Sequence, residues 1–597
     1  EFIDDAVSFA DPMVLRGLLY LLTSDEDLTS MDVASSAELD ASITDVVSEA
    51  DMAMLRAKAA DFIKSYRDKG APDVELGSPD HILRSLNLTA GFEIPAEDRD
   101  IWFEQAVIDP WARGIKWKEK PSAEQLEDFF VMVVGTGLSG LNTAAQLKRA
   151  GVPYVVVEKN AEIGGSWFEN RYPGARVDTC SRGYTHSIGV NYPYPYAFCP
   201  RDEVLKYLNW VADEFDIRED VVLNTEVTSM VWDEASQKWC VTGKGPEGER
   251  IWQANAIITC VGFLSRPHIP EIEGAEKFLG TSCHSAAWPD GLDVAGKRVA
   301  VIGSGASGYQ TTPVIAKTAA HTTLFQRTPA WCYPDRTYLS ALPEQLLWLE
   351  QNVPFYSNFA RFALSAERNP ESVKMAVRTD PDFVDEHARS AANKAVRDGC
   401  VAYLKEQLAS KPELIEKMIP KAPPMSSRPI RVDVEDNIFK ALRRDNATLV
   451  SDPIEEITSA GILAGGKEYP QDIIVYATGF KAHDYMWPME IRGRNGVRIE
   501  EVWERDGPRA YLGTMVPGFP NFFMVYGPNT NNFGGFQVMD LLELCTAFAL
   551  RNIAGLIEQG KQSVDVSEDA YWRYNGELDE AEKDMLYLDP RANSYYQ

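Results

Sequence analysis

None of the eight cysteines forms a Cys-x-x-Cys pair, and none of the seven histidines stands in a His-Glu-x-x-His or mixed Cys/His ligand spacing. The first absence excludes a redox dithiol and suits buried thiols in a reducing compartment; the second removes the familiar zinc patterns, so no metal is expected. Apolar runs stay well short of the ~20 residues needed to cross a bilayer, so no membrane partner is expected and a cytoplasmic location is the default. Positive charge is scarce too: 59 Lys and Arg stand against 89 Asp and Glu, a formal charge of -30. Such a field repels nucleic acid and anionic membrane surfaces, so any phosphate ligand must be held by local devices.

What is present is an ordinary globular composition, 45% hydrophobic and 25% charged, in 597 residues. That length exceeds what one hydrophobic core serves, and two to four domains are expected. Residues 1–120 stand apart, with 25 acidic against 12 basic residues and no cysteine. Apolar positions cluster at Val14, Leu15, Leu18, Leu19, Leu21 and Leu22, and the stretch from Ile43 to Tyr66 reads as one long helix stopped at Gly70. Ser78 before Pro79 predicts a capped helix start. The prefix is expected to be an all-helical extension that supplies contacts.

From Phe129 onward, short apolar runs lead into glycine turns and then helices, the signature of parallel α/β units. Phe130 to Val134 predicts a buried strand, Leu141 to Ala150 a helix and Tyr154 to Val157 the next strand. A second unit begins at Arg298 to Ile302 and continues through Leu324 to Gln326. Ala256 to Cys260 and Ile473 to Ala477 are read as strands of the first unit, residues 335–425 as a helical excursion closing over a site, and 521–532 as strand then turn.

Each unit carries a glycine-rich turn: Gly135-Thr136-Gly137-Leu138-Ser139-Gly140 and Gly303-Ser304-Gly305-Ala306-Ser307-Gly308. Standing between an apolar strand and a helix, such a turn offers free amides and a helix N-terminus to a pyrophosphate. Two of them predict two dinucleotides on one chain. Glu158 lies 23 positions past Gly135, where a carboxylate accepts ribose hydroxyls and repels a 2'-phosphate, which indicates FAD. Arg327, followed by Thr328, lies 24 positions past Gly303, and a guanidinium there favours the 2'-phosphate of NADPH. A surface ion pair is the competing role for Arg327.

Phe278 to Pro289 resembles the F-x-G-x-x-x-H-x-x-x-W-[PD] fingerprint of Baeyer-Villiger monooxygenases, and Gly164-Gly165-Ser166-Trp167 with Arg171-Tyr172-Pro173-Gly174 and Asp178 is similar to the family's second signature. Tyr476 to Phe480 resembles a flavoprotein A-T-G motif. The acidic prefix and Ser426-Ser427-Arg428-Pro429 look most like the 4-hydroxyacetophenone monooxygenase branch, whose extension is linked to dimerisation. The resemblance implies an α/β fold of two Rossmann-like domains, with 121–280 and 430–597 binding FAD and an inserted 281–429 binding NADPH, and a homodimer.

It further implies NADPH- and O2-dependent conversion of aryl or cyclic ketones to esters or lactones, through a peroxide carried on the flavin. Arg428 would be the active-site arginine and Asp178 its partner, with Arg431 as competitor. Gly165 and Trp167 would lie at the flavin, and Trp572 would contact the nicotinamide nucleotide. Many relatives have lysine where Ser427 stands, which leaves more of the phosphate to Arg327. His284 and Trp288 are expected to pack and hinge rather than react. A heteroatom-oxidising flavin monooxygenase shares both turns but departs at Trp288-Pro289, and a disulfide reductase lacks its dithiol.

Overall fold

The computed structural model describes residues 1–39, 41–531, 537–592 and 595. Two five-stranded parallel sheets organise them. In the first, the order is Phe522–Met524, Ala256–Thr259, Val131–Val134, Tyr154–Val157 and Val221–Val222. In the second it is Thr281–His284, Ile473–Tyr476, Arg298–Ile302, His321–Phe325 and Ala447–Val450.

The central strands of both sheets, Val131–Val134, Arg298–Ile302 and Ile473–Tyr476, are buried on two faces, which is why they read as nearly unbroken apolar runs. Successive side chains point to opposite faces. Val131 and Val133 therefore pack on the helices Leu138–Ala150, Arg201–Glu214 and Val538–Gln559, whereas Met132 and Val134 pack on an antiparallel meander, Glu226–Asp233, Lys238–Gly245 and Gly248–Ala254. The second unit repeats the plan with Val299 and Val301 facing the helices, and with Ala300 and Ile302 facing the meander Ile454–Ile457, Gly461–Ala464 and Lys467–Pro470.

The pairing corrects one sequence reading. Ile473–Tyr476 lies between Thr281–His284 and Arg298–Ile302, so it belongs to the second sheet and not the first, and Ala447–Val450 joins the same sheet. The second unit's sheet therefore extends past 429, to Tyr476. Four consecutive buried apolar residues suit either sheet equally, so local pattern could not choose between them. The chain re-enters the first unit at Glu490–Arg492, which pairs in parallel with Glu226–Asp233. The outgoing and returning crossovers run side by side: Pro267 bridges Phe480, and the Lys481 N–H donates to the Arg266 carbonyl at 2.9 Å.

The prefix is not all-helical. Val33–Ala37 and Ser42–Val46 form an antiparallel hairpin, and the helix expected from Ile43 begins only at Glu49, where the Ser48 side chain accepts from the Asp51 N–H. Ile43, Thr44, Val46 and Val47 are all β-branched, which favours the strand. That helix ends at Asp68, just before Gly70, and Ser78 caps Pro79–Ala90 as the Ser-Pro pair predicts.

The excursion of 335–425 is helical, with Glu344–Asn352, Tyr356–Ala366 and Ala391–Gln407 as its longest helices. Its first two helices share one core with the prefix: Phe359, Phe362 and Leu349 are fully buried with Leu28, Leu55 and Leu86. Among the described residues no single helix is long and apolar enough to cross a membrane.

Candidate active site

A cavity of about 470 Å³ runs from the first glycine turn to Arg428. Gly135, Gly137, Glu158, Gly165, Trp167 and Asp178 line it. Gly135 has φ +102°, and a Cβ there would stand 2.6 Å from the Cys260 carbonyl, so the strand-to-helix turn needs glycine. Gly140 packs a turn later against the Gly135 carbonyl. Gly137 precedes Leu138–Ala150 without a side-chain cap, which leaves the first-turn amides free for an anion. The Glu158 carboxylate is fixed at the cavity edge by the Thr136 N–H at 2.8 Å, the Thr136 hydroxyl at 2.6 Å and the Asn160 N–H at 2.8 Å. This uncapped cradle with a carboxylate at its far end fits the pyrophosphate and ribose of a dinucleotide lacking a 2'-phosphate.

His186, which the sequence reading passed over, steadies the same turn. Its Nε2 donates to the Leu138 carbonyl at 2.9 Å and its Nδ1 accepts from the Tyr207 hydroxyl at 2.7 Å. Burial pushes its pKa down to about 4, so the ring is a neutral spacer.

The second cradle has the same construction. Gly303 has φ +117°, Gly308 packs against its carbonyl, and Gly305 leaves the helix Ala306–Ile315 uncapped. Ser307 lies in the first turn of that helix, beside the Tyr172 hydroxyl. Arg327 is exposed at the end of the second strand of the unit, without an ion pair among the described residues. It can therefore meet a 2'-phosphate. Thr328 is exposed next to it, and its carbonyl accepts from the Ser304 hydroxyl at 2.6 Å.

Arg428 and Asp178 are brought together, 250 residues apart in sequence, with Nη2 to Oδ2 at 2.6 Å. The carboxylate is nearly buried, at 7% side-chain exposure, while the guanidinium keeps 37% and lines the cavity. The reason lies in the excursion's ends. Cys332–Asp335 and Ile430–Asp433 pair in parallel and so hold the two ends of the excursion beside each other; Tyr338, just past the first strand, and Arg428, just before the second, both bond Asp178.

Asp178 Oδ1 accepts from the Tyr338 hydroxyl at 2.9 Å and from Gln310 Nε2 at 3.0 Å; Gln310 Oε1 accepts from the Tyr172 hydroxyl at 2.7 Å. Gln310 belongs to the helix of the second cradle, so the helix that would receive the nicotinamide dinucleotide also holds the carboxylate behind Arg428. Gly174 permits the approach: at φ +87°, its Cβ would stand 2.6 Å from the Gln310 carbonyl. Burial pushes the Tyr172 phenol up to about 12, so it stays a donor.

Arg431 also lines the cavity, but it sits in the strand Ile430–Asp433, 3.3 Å from Asp335 Oδ2 and 5.5 Å from the Phe198 ring centroid. Trp167 donates to the Tyr184 hydroxyl at 3.2 Å, and both line the cavity.

Trp572 does not reach the cavity. It is 40% exposed on the helix Glu568–Glu582, against Glu568, Tyr571 and Arg505, none of which lines the cavity.

His284 is 2% exposed, with Nε2 donating to the Gly479 carbonyl at 3.0 Å and Nδ1 accepting from the Ala286 N–H at 3.1 Å. It joins the crossover fingerprint to the A-T-G segment. Arg171 reaches Asp290 at 2.7 Å across the two units.

A model of the flavin-binding monooxygenase-like family matches residues 130–367. An uncharacterized monooxygenase y4iD of Sinorhizobium fredii is 31% identical over 547 residues, spanning 91% of this chain and 81% of that protein. A Baeyer-Villiger monooxygenase of Pseudooceanicola batsensis is 31% identical over 504 residues, spanning 78% and 89%. The solved structure of OTEMO in complex with FAD and NADP superimposes with a TM-score of 0.67 at 29% identity, over 80% of this chain and 93% of the other. The chain belongs to the flavin-binding monooxygenase-like family, within its Baeyer-Villiger group.

Proposed function

We propose that this protein uses NADPH and O2 to convert an aryl or cyclic ketone to an ester or lactone, with FAD held in the first cradle and NADPH in the second. The observation that carries this reading is a guanidinium fixed by a buried carboxylate at the end of a dinucleotide cavity, with that carboxylate bonded in turn to the second cradle's helix. FAD and NADPH supply the electron transfer and oxygen activation when bound.

Arg428 is the residue assigned to charge stabilisation. A guanidinium stays charged and has no usable proton to lose, so it stabilises negative charge that develops on oxygen as the ketone carbonyl is attacked. Asp178 orients it and offsets the cost of burying it. Gln310 and Tyr338 hold Asp178 in turn. Trp167, Tyr184, Val373 and Met425 line the cavity and exclude water, which would otherwise divert the oxygen to hydrogen peroxide. Arg327 is assigned to the 2'-phosphate. The prefix and Ser426 to Pro429 support a place near the 4-hydroxyacetophenone branch, and with it a homodimer.

The test is stoichiometry. Purified protein loaded with FAD, given NADPH, air and a panel of aryl and cyclic ketones, is expected to consume about one NADPH per ester formed. NADPH consumption that yields hydrogen peroxide alone with every ketone would overturn the reading. Arg327→Ala is expected to raise KM for NADPH by about 10- to 100-fold, one charge-assisted contact, and leave KM for NADH nearly unchanged. Equal changes for both nucleotides would remove Arg327 from the phosphate.

A further inference from the structure

One buried ionic cluster lies outside the chemistry assigned above. Arg113, in the prefix, donates through Nη1 to Asp540 Oδ1 and Glu543 Oε2, both at 2.9 Å, and through Nε to Glu104 at 3.2 Å. Arg361, from the excursion helix Tyr356–Ala366, donates to the same Asp540 oxygen at 2.8 Å and to the Thr185 carbonyl at 2.5 Å. Glu543 accepts the Ser187 N–H at 2.7 Å and its hydroxyl at 2.6 Å. Asp540 accepts the Gln537 N–H at 3.0 Å and so caps the helix Val538–Gln559.

Two of the segments tied here also wall the cavity. Gln537, Val538, Leu541 and Leu542 line it from the first turns of that helix, and Tyr184 lines it from the segment that carries Thr185 and Ser187. Arg113, Arg361, Asp540 and Glu543 are each at most 3% exposed at the side chain. Desolvation opposes the charge on Arg113, yet Glu543 and Asp540 more than offset it and hold its pKa above the ordinary value.

A cluster of this kind is a poor device for stability alone, because packed apolar residues hold helices as firmly without the desolvation cost. What it adds is register: each carboxylate oxygen is reached by named donors from fixed positions, so the prefix, the excursion and the cavity wall can assemble in only one alignment.

We propose that Arg113 is a positioning residue of the flavin cavity, setting through Asp540 and Glu543 the first turn of Val538–Gln559 and the segment 184–187. The prefix is then part of the oxygenation site's architecture and not an appendage to it. This rests on FAD occupying the cavity, as proposed above.

The experiment uses the full chain with three variants: Arg113→Met, Arg113→Lys and Ser187→Ala. FAD release is read by flavin fluorescence, and ester and hydrogen peroxide are counted per NADPH. Arg113→Met is expected to weaken FAD binding about tenfold and to raise the peroxide share several-fold, while KM for NADPH stays put. Arg113→Lys restores most of both, since one ammonium can still reach one carboxylate. Ser187→Ala, which loosens Glu543 from the cavity side, shifts both in the same direction by about two- to fivefold with little change in melting temperature.

Should Arg113→Met melt lower yet bind FAD and couple like the parent, the cluster is structural only and the proposal falls. If Arg113→Met does not fold, Ser187→Ala and Arg113→Lys decide, and parental FAD release and peroxide share in both would overturn it. Absence of ester from the parent protein would instead overturn the proposed activity, and the FAD-release measurements would still judge Arg113.

Discussion

Replacing Arg428 by alanine is expected to lower ester formation by about 10²- to 10³-fold, the usual loss of one preorganised donor to developing negative charge, while NADPH continues to reduce the flavin. The separation between the two half-reactions is the informative part. Arg428 lines the cavity with little over a third of its side chain exposed and is held by Asp178, so removing it opens space where charge is stabilised without disturbing either cradle. Its loss leaves Asp178 with two donors, the Tyr338 hydroxyl and Gln310 Nε2, so the carboxylate is not stranded and the fold should survive. Arg428→Lys keeps the charge but not the planar fork, and an intermediate loss is expected. Rapid-mixing measurement of flavin reduction beside product analysis checks both. An alanine variant that makes ester at the parental rate would transfer the role to Arg431, which shares the cavity wall.

Deleting residues 1–120 should yield no folded flavoprotein. The removal of Arg113 leaves Asp540 and Glu543 in the interior with Arg361, Ser187 and the Gln537 N–H to compensate, a change that costs about 3–5 kcal/mol where one partner of a buried pair is lost. Leu349, Phe359 and Phe362 lose their packing partners as well, Phe362 among them its edge contact with Trp102 at 5.4 Å, and each fully buried side chain of this size contributes about 1.5–3 kcal/mol. Together these exceed much of the net stability of about 5–15 kcal/mol that a domain carries. Circular dichroism and FAD retention of the truncated chain check the expectation. A truncated protein that folds and stays yellow would show that the excursion stands without the prefix.

The parts of this molecule that were legible in the amino-acid order are those in which local chemistry allows one answer. The two glycine turns demand positive φ and close backbone approach at Gly135 and Gly303, and Glu158 and Arg327 follow at a distance set by one helix and one strand. The Ser78-Pro79 helix start is equally local. Where competing structures satisfy the same pattern, reading failed: Ile473–Tyr476 suits either sheet, and Ile43 to Val47 suits helix spacing until its β-branching is weighed.

Long-range polar contacts were out of reach for a different reason. Arg113 meets Asp540 across 427 positions and Gln310 meets Asp178 across 132, and a lone arginine or glutamine gives no local sign of its partner. Asp178 and Arg428 were paired beforehand only through family resemblance, since nothing in their immediate surroundings specifies the contact.

The interleaving of the two sheets also imposes an order on biosynthesis. The nested sheet has all five strands once the chain reaches Tyr476, whereas the outer one waits for Phe522–Met524 to dock beside Ala256–Thr259. During translation the inner unit can consolidate as a unit while the edge of Ala256–Thr259 stands open for more than two hundred residues of synthesis. An unpaired parallel edge carrying Ile257 and Ile258 is an invitation to wrong partners, so slow elongation between the two units would expose nascent chains to chaperones and aggregation more than any delay within the nested one.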